Sequence, residues 1–253
     1  MTDIPMAAGA TSRPGTLHVL GMGPGDPELV TAKALRILSE TGVVAFFAKQ
    51  GRVGHARGIA GDRIRAGAVE LRLEYPFTTE VPVSDPRYLR DIGSFYEDCA
   101  ARLSRPLAAG QDVALLCEGD PFFYGSSMYL FDRLSASFPH QVVPGVTGMS
   151  GCWTAAGLPI THGDDVLSVL PGTLPEEVLT ERLRHTDAAV IMKVGRNLPR
   201  IVSALRRAGL GERAVYVERG TQATQRLLSL EDAASLDAPY FSMILVPGRQ
   251  RPR

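Results

Sequence analysis

Leu17-His18-Val19-Leu20-Gly21-Met22-Gly23-Pro24-Gly25-Asp26-Pro27 is the stretch on which the fold turns. Its short apolar run predicts a strand, and the Gly/Pro-rich segment behind it predicts a tight loop. Beyond the loop, residues 28–41 carry Leu29, Ala32, Leu35 and Leu38 at helical spacing, with Glu28 in the first turn, where the helix dipole favours an acid. A second apolar run, 43–47, completes a strand–loop–helix–strand unit, the building block of parallel α/β sheets.

Outward from this unit the same rhythm continues. Strands are predicted over 68–73, 112–117 and 141–143, helices over 85–109 and 125–137, and a close-packed helix over the small residues of 146–156. Residues 157–165 have the Gly/Pro/Asp content of a linker. Strands over 166–170, 188–192 and 213–217 then alternate with helices over 175–185 and 199–208. The tail changes character, because 225–228 and 241–246 predict consecutive strands in antiparallel pairing. The expected organisation is a flexible leader over 1–15, an N-terminal α/β lobe with a mostly parallel sheet over 16–160, a C-terminal α/β lobe with a mixed sheet over 161–247, and a polar tail over 248–253.

Composition narrows the function classes. The 253 residues are 45% hydrophobic and 21% charged, as expected of a folded globular chain. With 27 basic and 27 acidic residues the net charge is +0, so no global field draws in nucleic acid or an anionic membrane. The three cysteines are scattered without a CxxC pair or Cys/His cluster, which argues against a disulfide framework or a structural metal and fits a reducing compartment. No apolar run approaches membrane-spanning length, and 1–15 lacks the apolar stretch of a secretory signal. A cytoplasmic protein is the expectation.

Three loops could carry chemistry. In Gly21–Asp26, G-x-G-x-x-G spacing would need glycine where Asp26 stands, and 43–50 holds no acid to grip a ribose. The dinucleotide reading fails on both counts, which leaves an NAD oxidoreductase a distant rival, and a tight turn with no ligand accounts for this loop taken alone. Glu118-Gly119-Asp120-Pro121 lies at a strand's carboxyl end, where open α/β sheets place ligands. Its two carboxylates suit a neutral or cationic ligand better than a phosphate, although an Asp-Pro turn accounts for Asp120 equally well. Pro144-Gly145-Val146-Thr147-Gly148-Met149-Ser150-Gly151 fails as a serine elbow, because Cys152 occupies the last glycine position.

Taken in series, Gly21–Asp26, Glu118–Gly125, Pro144-Gly145-Val146-Thr147, Gly157-Leu158-Pro159-Ile160-Thr161-His162, Met192-Lys193-Val194 and Val217-Glu218-Arg219-Gly220-Thr221 resemble the motifs of the tetrapyrrole methyltransferases, in order, over nearly the whole chain. Within that family, Val43-Val44-Ala45-Phe46-Phe47-Ala48-Lys49 and Glu74-Tyr75-Pro76-Phe77-Thr78-Thr79-Glu80 resemble the branch that methylates precorrin-2 at C20 on the oxygen-dependent route to cobalamin. The resemblance implies two α/β lobes, a homodimer, and S-adenosylmethionine bound in the cleft between lobes. It implies Pro24, Glu118, Gly119, Asp120, Phe123, Thr147, Gly148, Met192 and Gly220 as cofactor-binding residues. Relatives often carry glycine at the position of Glu118, which leaves its side-chain role open.

A cationic sulfonium without phosphate matches loops that present Asp26, Glu118 and Asp120. Methyl transfer to carbon is an in-line displacement that needs alignment rather than a nucleophile or metal of the protein's own. No catalytic base is assigned; Tyr124, His162 and Glu118 are conceivable proton acceptors, and each has an ordinary structural explanation. Lys49, Arg52 and Arg57, with His55 among them, are expected to meet the carboxylates of the tetrapyrrole substrate. A solvated basic loop explains them equally. The alternatives are a sister enzyme acting at another position or on a cobalt-containing macrocycle, and a non-catalytic tetrapyrrole-binding protein. A further rival methylates ribosomal RNA or diphthine precursors, and the absence of excess positive charge weighs against RNA.

Overall fold

The computed structural model describes residues 13–76 and 86–248. Most of the leader, the end of the tail and residues 77–80 of the second branch-specific stretch lie outside the described residues. The chain divides into two compact units. The first runs to Met22 and resumes over Val30–Gly145; the second takes Gly23–Leu29 and the chain from Val146 onward.

In the first unit, β1 (Leu17–Gly21), α1 (Ala32–Glu40), β2 (Val43–Lys49), α2 (His55–Ala60), β3 (Val69–Tyr75), α3 (Pro86–Ala108), β4 (Val113–Cys117), α4 (Ser127–Leu134) and β5 (His140–Val143) follow in order. The sheet order is β3-β2-β4-β1-β5 with every pairing parallel. Such a sheet must be covered on both faces, which explains why all five residues of β4 are buried. Leu20, Phe46 and Leu116 pack with Ala34, Leu38 and Ile59 on one face. Leu17, Val19 and Leu115 pack with Leu103, Leu107 and Leu130 on the other.

The first helix starts later than its apolar spacing predicts. Asp26 Oδ1 accepts the Glu28 amide at 2.9 Å and closes a 3-10 turn over Pro27–Leu29. Thr31 then caps α1 by accepting the Ala34 amide at 3.3 Å. The short helix α2, which buries Ala56, Ile59 and Ala60, occupies what reads in sequence as a basic loop.

In the second unit, α5 (Gly148–Ala155), β6 (Leu167–Pro171), α6 (Glu176–Arg184), β7 (Ala188–Met192), α7 (Leu198–Arg207), β8 (Val215–Glu218), β9 (Arg226–Ser229), α8 (Leu230–Ala233) and β10 (Ser242–Val246) follow. The order is β6-β7-β10-β8-β9, with β6 and β7 parallel and the remaining pairings antiparallel. The two tail strands do not pair with each other. Strand β10 is all but fully buried and inserts between β7 and β8, whereas the mostly exposed β9 adds to the free edge of β8. Hydrophobicity decides which of the two takes the interior. The close-packed helix expected over 146–156 is α5. It belongs to the second unit, so the division falls at Gly145 rather than in the Gly/Pro-rich stretch 157–165. Among the described residues, no helix is long and apolar enough to cross a membrane.

Candidate active site

Parallel strands β4, β1 and β5 lie side by side, so the loops leaving their carboxyl ends start next to one another. They touch backbone to backbone. A Cβ on Gly145 would lie 2.1 Å from the Gly119 carbonyl oxygen, and one on Gly21 would lie 2.5 Å from the Gly145 nitrogen. Only glycine permits that approach. Asp120 fastens the arrangement, with Oδ1 accepting the Phe122 amide at 2.9 Å and Oδ2 the Gly145 amide at 3.1 Å. Both of its oxygens serve the turn.

Glu118, on the same loop, differs. It directly follows Cys117 at the end of β4, and the backbone amide of Ala56 is the group that favours its charge. Burial outweighs that amide and pushes the carboxyl up to about 7. Glu118 therefore changes charge near neutrality. Phe123 stacks edge-on against Tyr124, whose backbone is left-handed at φ 57. Burial pushes the thiols of Cys117 and Cys152 up to about 11, so neither is a nucleophile at neutral pH.

The three cations expected to meet the substrate separate. Lys49 ends β2 and Arg52 follows it, both exposed at the carboxyl end of the sheet. The carbonyls of both accept from Arg72. Arg57 instead forks onto Glu70 at 2.8 and 2.9 Å and donates to the Gly61 carbonyl at 3.0 Å. Glu70 pairs in register with Val44, near the amino ends of β2 and β3. The Arg57 guanidinium thus faces away from the end where Lys49 and Arg52 stand, because α2 turns the chain back.

In the second unit, Thr147 caps α5 by accepting the Ser150 amide at 3.2 Å, and Gly148 opens the helix. Three contacts gather around α5. A Cβ on Gly151 would lie 2.6 Å from Cβ of Pro24, one on Gly220 would lie 2.8 Å from Sγ of Cys152, and one on Gly148 would lie 3.0 Å from Cε of Met243. Pro24, Thr147, Gly148 and Gly220 are therefore brought together at one helix. Met192 ends β7, half-buried, and its carbonyl accepts the Gly172 amide at 2.7 Å. Since β10 is antiparallel to both β7 and β8, Met192 and Glu218 lie at the same end of the sheet.

Backbone strain concentrates in the same loops. Among the described residues, the non-glycine residues with positive φ are Tyr124, Lys193, Arg219 and Thr221. Each such conformation costs on the order of 1–3 kcal/mol and persists where its surroundings require it. The last three have no counterpart in the site read from the sequence, since a side chain's letter does not report its φ. Glu218 was likewise unassigned. It is buried, accepting from the Tyr216 hydroxyl at 2.9 Å and pairing with Arg226 at 3.4 Å and Arg219 at 3.7 Å.

Two kinds of unit in one chain, a parallel α/β unit with glycine-fused strand-end loops and a mixed unit that gathers further loops about one helix, define a class. Residues 16–234 match the Tetrapyrrole (Corrin/Porphyrin) Methylases, and the chain belongs to that family. It is 52% identical over 239 residues to a precorrin-2 C(20)-methyltransferase of a Sinorhizobium species, covering 94% of this chain and 98% of the relative. It is 46% identical over 237 residues to the cobalamin biosynthesis protein CobIJ of Mycobacterium tuberculosis, covering 94% of this chain but 47% of that longer one. The crystal structure of uroporphyrin III C-methyltransferase from Thermus thermophilus superposes with a TM-score of 0.64 at 27% identity, covering 91% of this chain and 97% of that one. A further structure of that enzyme holds S-adenosyl homocysteine.

Proposed function

We propose that this protein transfers the methyl group of S-adenosylmethionine to C20 of precorrin-2, giving precorrin-3A in cobalamin biosynthesis. The observation that carries this reading is the 52% identity with the Sinorhizobium precorrin-2 C(20)-methyltransferase over nearly the full length of both chains.

The residues fit the donor. The loop after β4 carries Glu118 and Asp120 and no cation, and glycine lets the backbones of the loops after β1, β4 and β5 close on one another. S-adenosylmethionine, when bound, supplies the sulfonium methyl. The residues we assign to donor binding are Gly119, Asp120 and Phe123 of the first unit and Pro24, Thr147, Gly148, Met192 and Gly220 of the second, acting largely through backbone. Glu118 faces the positive charge. Their work is alignment, worth roughly 7–11 kcal/mol in well-oriented systems. The C20 carbon forms a bond to methyl as the carbon–sulfur bond breaks; the sulfonium becomes a neutral thioether and the C20 proton leaves to a base. Lys49 and Arg52 meet the substrate carboxylates. Arg57 belongs with them in the basic segment, but Glu70 engages its fork. The protein works as a cytoplasmic homodimer without metal, nucleic acid or membrane.

The deciding experiment is anaerobic incubation with precorrin-2 and S-adenosylmethionine, followed by mass spectrometry and carbon NMR. One new methyl at C20 supports the reading. A methyl elsewhere, or turnover only of a cobalt-bearing macrocycle, replaces it with a sister activity. Donor binding without turnover of any tetrapyrrole overturns it.

A further inference from the structure

We infer that Thr221 is a positioning residue that holds the Gly23–Leu29 loop in the shape the methyl donor meets. The inference rests on the methyltransferase reading and adds to it a residue outside the binding positions given above.

Thr221 adopts φ 71, a left-handed conformation that is a genuine outlier for a β-branched side chain. Glycine would adopt it freely, so something else selects threonine there. Both branches of the side chain are in use. Oγ1 accepts the backbone amide of Asp26 at 3.3 Å. Cγ2 lies 3.2 Å from the position that a Gly151 Cβ would take, on the surface of α5 that also seats Pro24. The Thr221 amide is itself anchored, donating to Gln225 Oε1 at 2.9 Å. The neighbouring Gln222 closes the flank, with Cγ 2.5 Å from where a Gly25 Cβ would stand.

The loop it grips is otherwise tied mainly to itself. Asp26 accepts the amides of Glu28 and Leu29, and the two glycines on either side of Pro24 are both at positive φ. A loop so rich in backbone freedom needs an external anchor to keep one shape. Serine would keep the hydroxyl but lose the packing on Gly151. Valine would keep the packing but leave the Asp26 amide without its acceptor. Threonine alone supplies both.

Hydrogen–deuterium exchange of the Asp26 amide in the ligand-free protein, with calorimetric titration of S-adenosylhomocysteine, tests this on Thr221→Val, Thr221→Gly and Thr221→Ser. Loss of one hydrogen bond is expected to speed Asp26 exchange roughly fivefold in the Val and Gly variants and to weaken the homocysteine derivative by a similar factor. Thr221→Ser should retain the Asp26 protection. Should Thr221→Val fail to fold, Thr221→Gly carries the test, because glycine relieves the strain while removing the hydroxyl. Wild-type protection and affinity in Thr221→Gly would overturn the inference. Wild-type protein that binds no S-adenosylhomocysteine would overturn the methyl-donor reading, while the exchange result would still decide whether Thr221 anchors the loop.

Discussion

Asp120 Oδ2 accepts the Gly145 amide at 3.1 Å, and that one bond ties the loop after β4 to the loop after β5. Its other oxygen takes the Phe122 amide. Asparagine has the same shape but one acceptor oxygen, so in either orientation its NH2 group faces a backbone N–H. Asp120→Asn is expected to cost about 1–3 kcal/mol in urea unfolding, although the change is isosteric. Gly145→Ala should cost more, because its Cβ meets the Gly119 carbonyl at 2.1 Å and two backbones must part. Wild-type midpoints in both variants would show that the loops are not joined this way.

The neighbouring carboxylate makes a different claim. Glu118 is held at about 7 in the folded protein against 4.5 for the ordinary side chain, with burial as the cause. Between these values the folded chain binds more protons than the unfolded one, so this group makes stability fall as pH rises through the window and level off above it. The full effect is at most about 3 kcal/mol. Chemical denaturation from pH 4 to 8, without ligands, should show that decline in the wild type and a flatter profile in Glu118→Gln. Parallel profiles would place the Glu118 carboxylate in water.

Much of this was legible in the sequence, for reasons specific to the residues. Short apolar runs alternating with helical spacing located the parallel sheet, because a strand buried on both faces has to be apolar throughout. The Gly21–Asp26 and Glu118–Gly125 loops announced themselves through glycine, proline and acid, the residues that tight strand-end turns demand. The rest depends on pairing across long separations. That β10 goes inside and β9 outside is a competition between strands for the same edges. That Asp120 pins Gly145, or that Thr221 lies over Gly151, is a contact between distant segments that no local pattern records. Gly151 did leave a trace, in the small residues of 146–156 that predicted a close-packed helix.

Arg52 and Arg57 stand five residues apart, yet α2 sends them to opposite duties. Arg57→Ala breaks a half-exposed ion pair with Glu70 and should lower stability by about 1 kcal/mol or less, leaving the substrate KM near the wild-type value. Arg52→Ala should raise the KM for the tetrapyrrole several-fold, with donor affinity and unfolding midpoint unchanged. Steady-state kinetics beside thermal unfolding separates the two. A KM effect confined to Arg57→Ala would place the substrate's carboxylates at the other end of α2.

Proton bookkeeping offers a sharper probe of the site. A carboxyl poised at about 7 beside a sulfonium becomes easier to ionise when the cation arrives, so donor binding near neutrality should release a fraction of a proton. By linkage, affinity for S-adenosylmethionine rises with pH until Glu118 is fully ionised in the free protein. S-adenosylhomocysteine carries no sulfonium charge and should bind with little proton release and a flatter pH dependence. Titration calorimetry at pH 6.5 in two buffers of different ionisation enthalpy reads the release directly. Glu118→Gln should abolish the difference between the two ligands while leaving both able to bind. Equal proton release for donor and product, or release that persists in Glu118→Gln, would mean that Glu118 does not face the transferred charge, and the binding role of the loop after β4 would then rest on Gly119, Asp120 and Phe123 alone.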